Sequence, residues 1–157
     1  MSLNVLEGHF NSGSNTFAIV AAKFNQAVVD RLVEGALDGL RRHGVADKNI
    51  TLVRVPGSYE IPLVANKLAL SGKFSSIICL GAVIKGETDH YDHVAGASTN
   101  GIAGISLQTG IPVIFGVLTC DTLEQAINRA GAKAGNKGFE AALAAIEMAD
   151  LILKLPK

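Results

Sequence analysis

A chain of 157 residues has the length of one ordinary domain with a buried core, so we expect residues 1–157 to form a single domain. Its 14 basic and 14 acidic side chains balance and are spread along the chain, which argues against nucleic-acid and anionic-membrane partners. The hydrophobic content of 48% indicates self-association, but no apolar stretch reaches the roughly 18 residues that span a bilayer and no signal-peptide pattern is present, so we expect a cytoplasmic protein.

The N-terminal part of the chain divides into an arm and a first strand–helix unit. Residues 1–15 combine a short extended piece with a Gly/Ser/Asn turn cluster, which predicts an arm able to pair with an edge strand. The all-apolar run Phe17–Ala22 predicts a parallel strand covered on both faces. Asn25 has the chemistry of an N-cap, and the apolar spacing that follows predicts a helix ending at Gly44.

Two more strand–helix units follow. Ile50–Val55 is β-branched and apolar, which predicts a strand, and Pro62 lies near the start of a helix that Gly72 ends. Ser76–Ile84 predicts a third strand, which passes through a short polar loop into a helix with Asp89 at its cap.

The last part of the chain predicts a fourth strand and two helices. Residues 111–118 form the strand, and Asp121 with Glu124 has the spacing of a capping box. A glycine-rich break at 131–138 precedes a final amphipathic helix over 139–153. This alternation of strands and helices predicts an α/β fold in which a four-stranded parallel sheet lies between two helical layers. The two cysteines are expected to be buried free thiols, since they form no CxxC pair.

Four stretches are expected at the carboxyl ends of the predicted strands, namely residues 23–25, 57–60, 81–90 and 115–119. In a parallel sheet the carboxyl ends of the strands share one edge, where α/β proteins bind ligands. The loop at 86–88, which precedes a helix, fits an anion site and an ordinary capped turn about equally well, and it lacks the nucleotide-binding glycine patterns. His90 fits either acid/base work or a polar position in a first helical turn. His93 lies three residues on, which allows a shared metal, but the spacing is not an HExxH signature.

The remaining candidates each have a structural alternative. Phe24 is either a core residue or a stacking platform, and core is favoured when this residue is taken alone. The stretch Ser58–Glu60 fits helix capping as well as ligand contact. Arg129 fits the favourable interaction of a cation with a helix C-terminus, and also a bidentate phosphate clamp.

Taken together, five motifs over nearly the whole chain resemble the lumazine synthase family. They cover residues 23–25, 55–62, 80–90, 112–119 and 124–138. The resemblance implies a flavodoxin-like three-layer α/β/α sandwich and a role in riboflavin biosynthesis. The implied reaction condenses 5-amino-6-(D-ribitylamino)uracil with 3,4-dihydroxy-2-butanone 4-phosphate to 6,7-dimethyl-8-ribityllumazine, without a metal or another cofactor. Lys23 and Lys85 stand where the family commonly has arginine.

The resemblance also implies roles for individual residues. His90 resembles the general acid/base, and Glu87, Thr88 and Arg129 resemble the contacts to the butanone phosphate. Asn25 and Lys137 would be additional polar contacts. The implied contacts to the pyrimidine and its ribityl chain are Phe24, Ser58, Tyr59, Glu60, Ala82, Val83, Ile84 and, from a neighbouring subunit, Phe115.

The same resemblance implies that this chain forms oligomers. Family members form pentamers with active sites between subunits, some assemble twelve pentamers into an icosahedral shell, and the turn at 131–138 resembles that of shell-forming members. The arm over residues 1–15 would pair with a neighbouring subunit, and the shell could enclose riboflavin synthase. The rival interpretations are a catalytically idle shell-forming or flavin-binding homologue, and a metal-dependent hydrolase using His90 and His93.

Overall fold

Four parallel strands form the centre of the structure, a computed structural model that describes residues 2–157. The strands are β1 (Phe17–Ala22), β2 (Ile50–Val55), β3 (Ser76–Ile84) and β4 (Val113–Cys120), and they lie in the order β2-β1-β3-β4. The predicted α/β fold with a four-stranded parallel sheet is confirmed. The fourth strand lies two residues later than predicted, because its register with β3 pairs Val113 with Ile77 and Cys120 with Ile84.

Helices cover both faces of this sheet. They are α1 (Gln26–Arg42), α2 (Ile61–Leu70), α3 (His90–Thr109), α4 (Leu123–Arg129) and α5 (Lys137–Lys154), with short 3-10 turns at Asp47–Asn49 and Ser58–Glu60. Buried residues of α1, α4 and α5 pack on one face, and those of α2 and α3 pack on the other. The structure therefore has the predicted three layers.

Strand β1 supplies both halves of the core. Phe17, Ile19 and Ala21 join the cluster on the α1 side, whereas Ala18, Val20 and Ala22 join the cluster on the α2 side. All six side chains are fully buried, as expected for a central parallel strand. Cys79 and Cys120 are buried free thiols, which confirms that prediction.

Three helix starts differ in detail from the sequence-based expectation. Asn25 occupies the N-cap position of α1, but its side chain makes no capping hydrogen bond. The same is true of Asp89 at α3. The capping box of α4 uses Thr122 and Gln125 instead of Asp121 and Glu124, because the Thr122 hydroxyl accepts from the Gln125 N–H over 3.2 Å.

The final helix begins earlier than predicted. Asn136 caps it through its side-chain oxygen, which accepts from the N–H groups of Gly138 and Phe139 over 2.8 and 3.1 Å. Lys137 and Gly138 are therefore helical. Gly138 also permits close packing of α5 on α1, since a Cβ at this position would overlap the carbonyl of Leu32.

The N-terminal arm lies along the outer side of α5 before it reaches the end of α1. The His9 N–H donates to the Asp150 carboxylate over 2.7 Å, and the Ser12 hydroxyl donates to the His43 carbonyl over 3.1 Å. Residues 2–6 are exposed and form no strand with the rest of the described chain. Pairing of the arm with a neighbouring subunit stays a prediction. Within residues 2–157, no helix is long and apolar enough to cross a membrane.

Candidate active site

A cavity of about 590 Å³ lies where β1, β2 and β3 end and α3 begins. This is the shared edge at which the sequence predicted a ligand site. Its polar part comes from loops and helix starts, and its floor comes from apolar residues at the end of β3. The lining residues are Phe24, Asn25, Pro56, Gly57, Ser58, Tyr59, Glu60, Ala82, Val83, Ile84, His90, Tyr91 and Val94.

Phe24 presents an exposed ring on a fixed backbone. The side chain is 70% exposed, so the alternative interpretation as a core residue is wrong. The Phe24 N–H donates to the Pro56 carbonyl over 3.0 Å, and the Lys23 N–H donates to the Val55 carbonyl over 2.7 Å. An exposed aromatic face held in this way is suited to stacking against a flat ligand ring.

Asn25 fixes the same loop from the other side. Its backbone has φ 60° and ψ 44°, the left-handed region, which Asn tolerates better than most residues. The side-chain amide donates to the Ala82 carbonyl over 2.8 Å. The loop after β1 is therefore bound both to the end of β2 and to the end of β3.

The Ser58–Glu60 turn, which follows β2, forms one wall of the cavity. Ser58 is 6% exposed and its side chain occupies the space over Gly81, where a Cβ would collide with the Ser58 hydroxyl. Tyr59 is 60% exposed and Glu60 is half-buried. Glu60 also stands at the N-cap position of α2, where a carboxylate interacts favourably with the helix dipole.

His90 is the first residue of α3 and lines the cavity together with Tyr91 and Val94. Its N–H lies 3.4 Å from the Thr88 hydroxyl, a long contact at the helix start. His93 is exposed and does not line the cavity. In the described part of the chain, no group of three or more His, Cys, Asp or Glu side chains is arranged to hold a metal ion.

None of the three candidate phosphate contacts lines the cavity. Glu87 and Thr88 are exposed in the loop between β3 and α3, and Arg129 is the exposed last residue of α4. Cys120 connects the two segments. Its carbonyl accepts from the Lys85 N–H over 2.9 Å. Burial raises the pKa of the Cys120 thiol, and the nearby Arg129 charge partly opposes that rise.

Comparison with known proteins agrees with this geometry. The sequence profile of the 6,7-dimethyl-8-ribityllumazine synthase family matches residues 14–152. A protein of Lawsonia intracellularis (strain PHE/MN1-00) named 6,7-dimethyl-8-ribityllumazine synthase is 54% identical over 153 residues, which are 98% of each chain. The chain belongs to the 6,7-dimethyl-8-ribityllumazine synthase family. The predicted family is confirmed, and with it the transferase activity of a lumazine synthase in riboflavin biosynthesis.

Two of the residues that the family resemblance singled out lie away from the cavity. Phe115 is half-buried on β4 and packs against the core on the α2 side. Lys137 opens α5 beside Asn136, whose amide donates to the Arg31 carbonyl over 3.0 Å. The cavity of the described chain includes neither Phe115 nor Lys137.

Four lining residues were not among the site residues inferred from the sequence. Tyr91 and Val94 lie in the first two turns of α3 next to His90 and so line the cavity. Pro56 and Gly57 come directly after β2. All four could have been inferred from the sequence, because each lies within four residues of a predicted ligand contact at the carboxyl edge of the sheet.

Proposed function

We propose that the cavity binds 5-amino-6-(D-ribitylamino)uracil and that the chain condenses it with 3,4-dihydroxy-2-butanone 4-phosphate to 6,7-dimethyl-8-ribityllumazine. The observation that carries this assignment of the site is one apolar-floored cavity lined by both the exposed Phe24 ring and His90. A flat pyrimidine stacked on Phe24 would lie between the loop after β1 and the first turns of α3.

In this proposal the wall and floor of the cavity orient the pyrimidine substrate. Ser58, Tyr59 and Glu60 contact the ribityl chain, whose hydroxyls match the polar groups of this turn. The main chain at Ala82, Val83 and Ile84 offers hydrogen-bonding groups to the pyrimidine edge where β3 ends. Holding the two reactants in one orientation supplies much of the rate of a condensation that also proceeds unaided.

Proton transfer is the role proposed for His90. The 5-amino group attacks the ketone, water leaves to form an imine, and phosphate is then eliminated. The ribityl-bearing nitrogen closes the ring with loss of a further water. Each step moves a proton between nitrogen, oxygen and carbon, and an imidazole at the cavity wall can accept and return that proton.

The phosphate of the second substrate is assigned to the segments beside the cavity. Thr88 offers a hydroxyl close to the start of α3, where backbone N–H groups favour an anion. Arg129 offers a guanidinium that binds phosphate oxygens in bidentate fashion. Glu87 belongs to the same loop and is fully compatible with this role when its carboxylate faces away from the anion. Asn25 and Lys137 are proposed as additional polar contacts.

We propose that the complete site lies between two subunits of a pentamer. The exposure of Phe24, the absence of Phe115 from the described subunit's cavity and the open surface of residues 2–6 support this arrangement. Twelve pentamers would assemble into an icosahedral shell in the cytoplasm, with room for riboflavin synthase. Light scattering tests the shell, because a population of free pentamers alone would contradict it.

A direct assay tests the function. The purified full chain is mixed with both substrates, and the lumazine product is followed by absorbance and by release of inorganic phosphate. The expected result is product formation above the uncatalysed rate, with one phosphate released for each lumazine. Turnover at the uncatalysed rate would favour the idle shell-forming or flavin-binding homologue. Activity lost on treatment with a chelator would favour the metal-dependent hydrolase.

A further inference from the structure

We infer that Ser98, in the third turn of α3, is a positioning residue that sets the distance between two walls of the cavity. Its hydroxyl lies 2.9 Å from the Ser58 carbonyl oxygen and 2.8 Å from the Val94 carbonyl oxygen. Ser58 belongs to the 58–60 turn, and Val94 belongs to the α3 wall that also contains His90. One buried hydroxyl therefore joins the turn to the helix. This role rests on the proposed function, since it concerns the binding of the ribityl chain.

The contact differs from an ordinary feature of helical serine and threonine. Such residues often donate to the carbonyl four residues earlier, as Thr99 does to Ala95 and Thr109 does to Ile105, over 2.8 and 2.7 Å. Ser98 has the same local acceptor in Val94 and a second one outside its helix. That second acceptor lies 40 residues earlier in the chain, in the 58–60 turn that forms another wall of the cavity.

The surroundings of Ser98 leave the turn little freedom to move. Ser98 is fully buried and Ser58 is 6% exposed. Gly81 provides the space for the Ser58 side chain on the sheet side, and Gly101 allows α3 to approach Pro62, where a Cβ would come within 2.7 Å of the ring. The Ser98 hydroxyl is thus a polar link in an otherwise apolar contact between α3 and the 58–62 segment.

Loss of the hydroxyl should move the turn without unfolding the protein. The Ser58 carbonyl also accepts from the Ile61 N–H, so Ser98→Ala leaves this carbonyl with a partner. Leaving a buried carbonyl without any hydrogen-bond partner would have destabilised the fold more strongly. The expected consequence is a turn that fits the ribityl chain less well, while the phosphate contacts beside the cavity are untouched.

Steady-state kinetics of the full chain test this role, with each substrate varied in turn. For Ser98→Ala we expect the KM for the ribitylaminouracil to rise about 3- to 10-fold, the effect of losing one hydrogen bond. The KM for the butanone phosphate and kcat should stay within about 2-fold, because the affected wall contacts only the pyrimidine substrate. Thr99→Ala removes a hydroxyl with the same local bond on the exposed side of α3 and should leave all three parameters unchanged.

Ser98→Cys is the second variant, because it replaces the hydroxyl by a somewhat larger thiol that is a weaker donor, and it should give an intermediate KM. The chain has two tyrosines and no tryptophan, and both tyrosines line the cavity, so tyrosine fluorescence reports binding directly. Equal loss with both substrates, together with a lower melting temperature, would assign Ser98 a structural role only. Unchanged kinetics in both variants would overturn the inference, whereas an inactive wild-type chain would overturn the proposed function itself.

Discussion

The Asn25 side-chain amide donates a hydrogen bond to the Ala82 carbonyl over 2.8 Å, across 57 positions of sequence. This bond joins the loop that presents Phe24 to the strand end that forms the cavity floor. It also explains why Asn25 does not cap α1 through its side chain, since the amide is turned toward β3. The backbone at Asn25 has φ 60°, in the left-handed region.

Substitution of Asn25 separates the hydrogen bond from the backbone conformation. Asn25→Gly loses the donor but suits φ 60°, whereas Asn25→Ala loses the donor and also places a Cβ in the left-handed region. We expect Asn25→Ala to be less stable than Asn25→Gly by about 1 kcal/mol, the usual penalty for that conformation. Urea denaturation measures the difference, and equal midpoints would contradict it.

Phe24 should act through its aromatic face. Phe24→Leu keeps an apolar side chain without a π-system, and we expect it to weaken binding of the ribitylaminouracil by about 1–3 kcal/mol, the range for stacking of a base on an aromatic side chain. Phe24→Tyr keeps the ring and is the matched control. Because Phe24 is 70% exposed, neither change should lower the melting temperature of the subunit. Equal affinity in Phe24→Leu and wild type would remove the stacking role.

His90 and His93 offer a matched pair one helical turn apart. His90→Ala should lower kcat about 10- to 100-fold, since positioning supplies the rest of the rate and the condensation proceeds unaided. His93→Ala removes an exposed imidazole outside the cavity and should leave kcat unchanged. Steady-state kinetics at saturating concentrations of both substrates make the comparison. A kcat for His90→Ala equal to that of His93→Ala would exclude His90 from proton transfer.

Most of the sheet could be predicted because its strands are continuous apolar runs. The bounds of β1, β2 and β3 match the sequence-based ones. β1 and β3 are covered on both faces and contain almost no polar residues, whereas the edge strand β2 is largely exposed and was recognised by its β-branched residues. β4 was placed too early because Ile111 and Pro112 are as apolar as the strand itself. Its true start depends on the register with β3, which no local pattern contains.

Helix caps and the cavity walls depend on contacts distant in sequence. Thr122 and Asp121 both have capping chemistry, and only the folded chain shows that the Gln125 amide oxygen lies over the N–H groups of residues 121 and 122. The position of the strand ends identified most residues of the cavity. Phe115, which is expected to contact the substrate from a neighbouring subunit, packs within its own chain against the core on the α2 side, and its contact across subunits stays a prediction.

Arg129 should contribute to the binding of the butanone phosphate and not to that of the ribitylaminouracil. Arg129→Ala removes a charge-assisted contact, so we expect the butanone phosphate to bind more weakly by about 1.5–3 kcal/mol. Arg42→Ala is the control, because Arg42 is an exposed cation of α1 paired with Asp38 over 2.9 Å. Raising the salt concentration should increase the KM for this substrate more in the wild type than in Arg129→Ala, because salt screens the charge that the variant lacks. The same KM in Arg129→Ala and wild type would refute the assignment.

Asp150 should hold the N-terminal arm in a pH-dependent way. The Lys154 ammonium, 2.7 Å away, and the His9 N–H keep the pKa of the Asp150 carboxyl below its usual range. Because the folded pKa is the lower one, the stabilisation is complete above the unfolded pKa and is lost as the pH falls through the folded value. Asp150→Asn should therefore lower the urea midpoint at pH 7, and its difference from wild type should disappear in strong acid.

Hydrogen exchange of the arm distinguishes this contact from a general effect of surface charge. Amides of residues 7–12 should exchange faster in Asp150→Asn than in wild type at pH 7. Asp30→Asn is the matched control, since Asp30 is likewise paired with a cation, Arg54, over 2.8 Å, but near the start of α1, whereas the arm contacts the end of that helix. Faster arm exchange in both variants, or in neither, would show that the Asp150 carboxylate does not hold the arm.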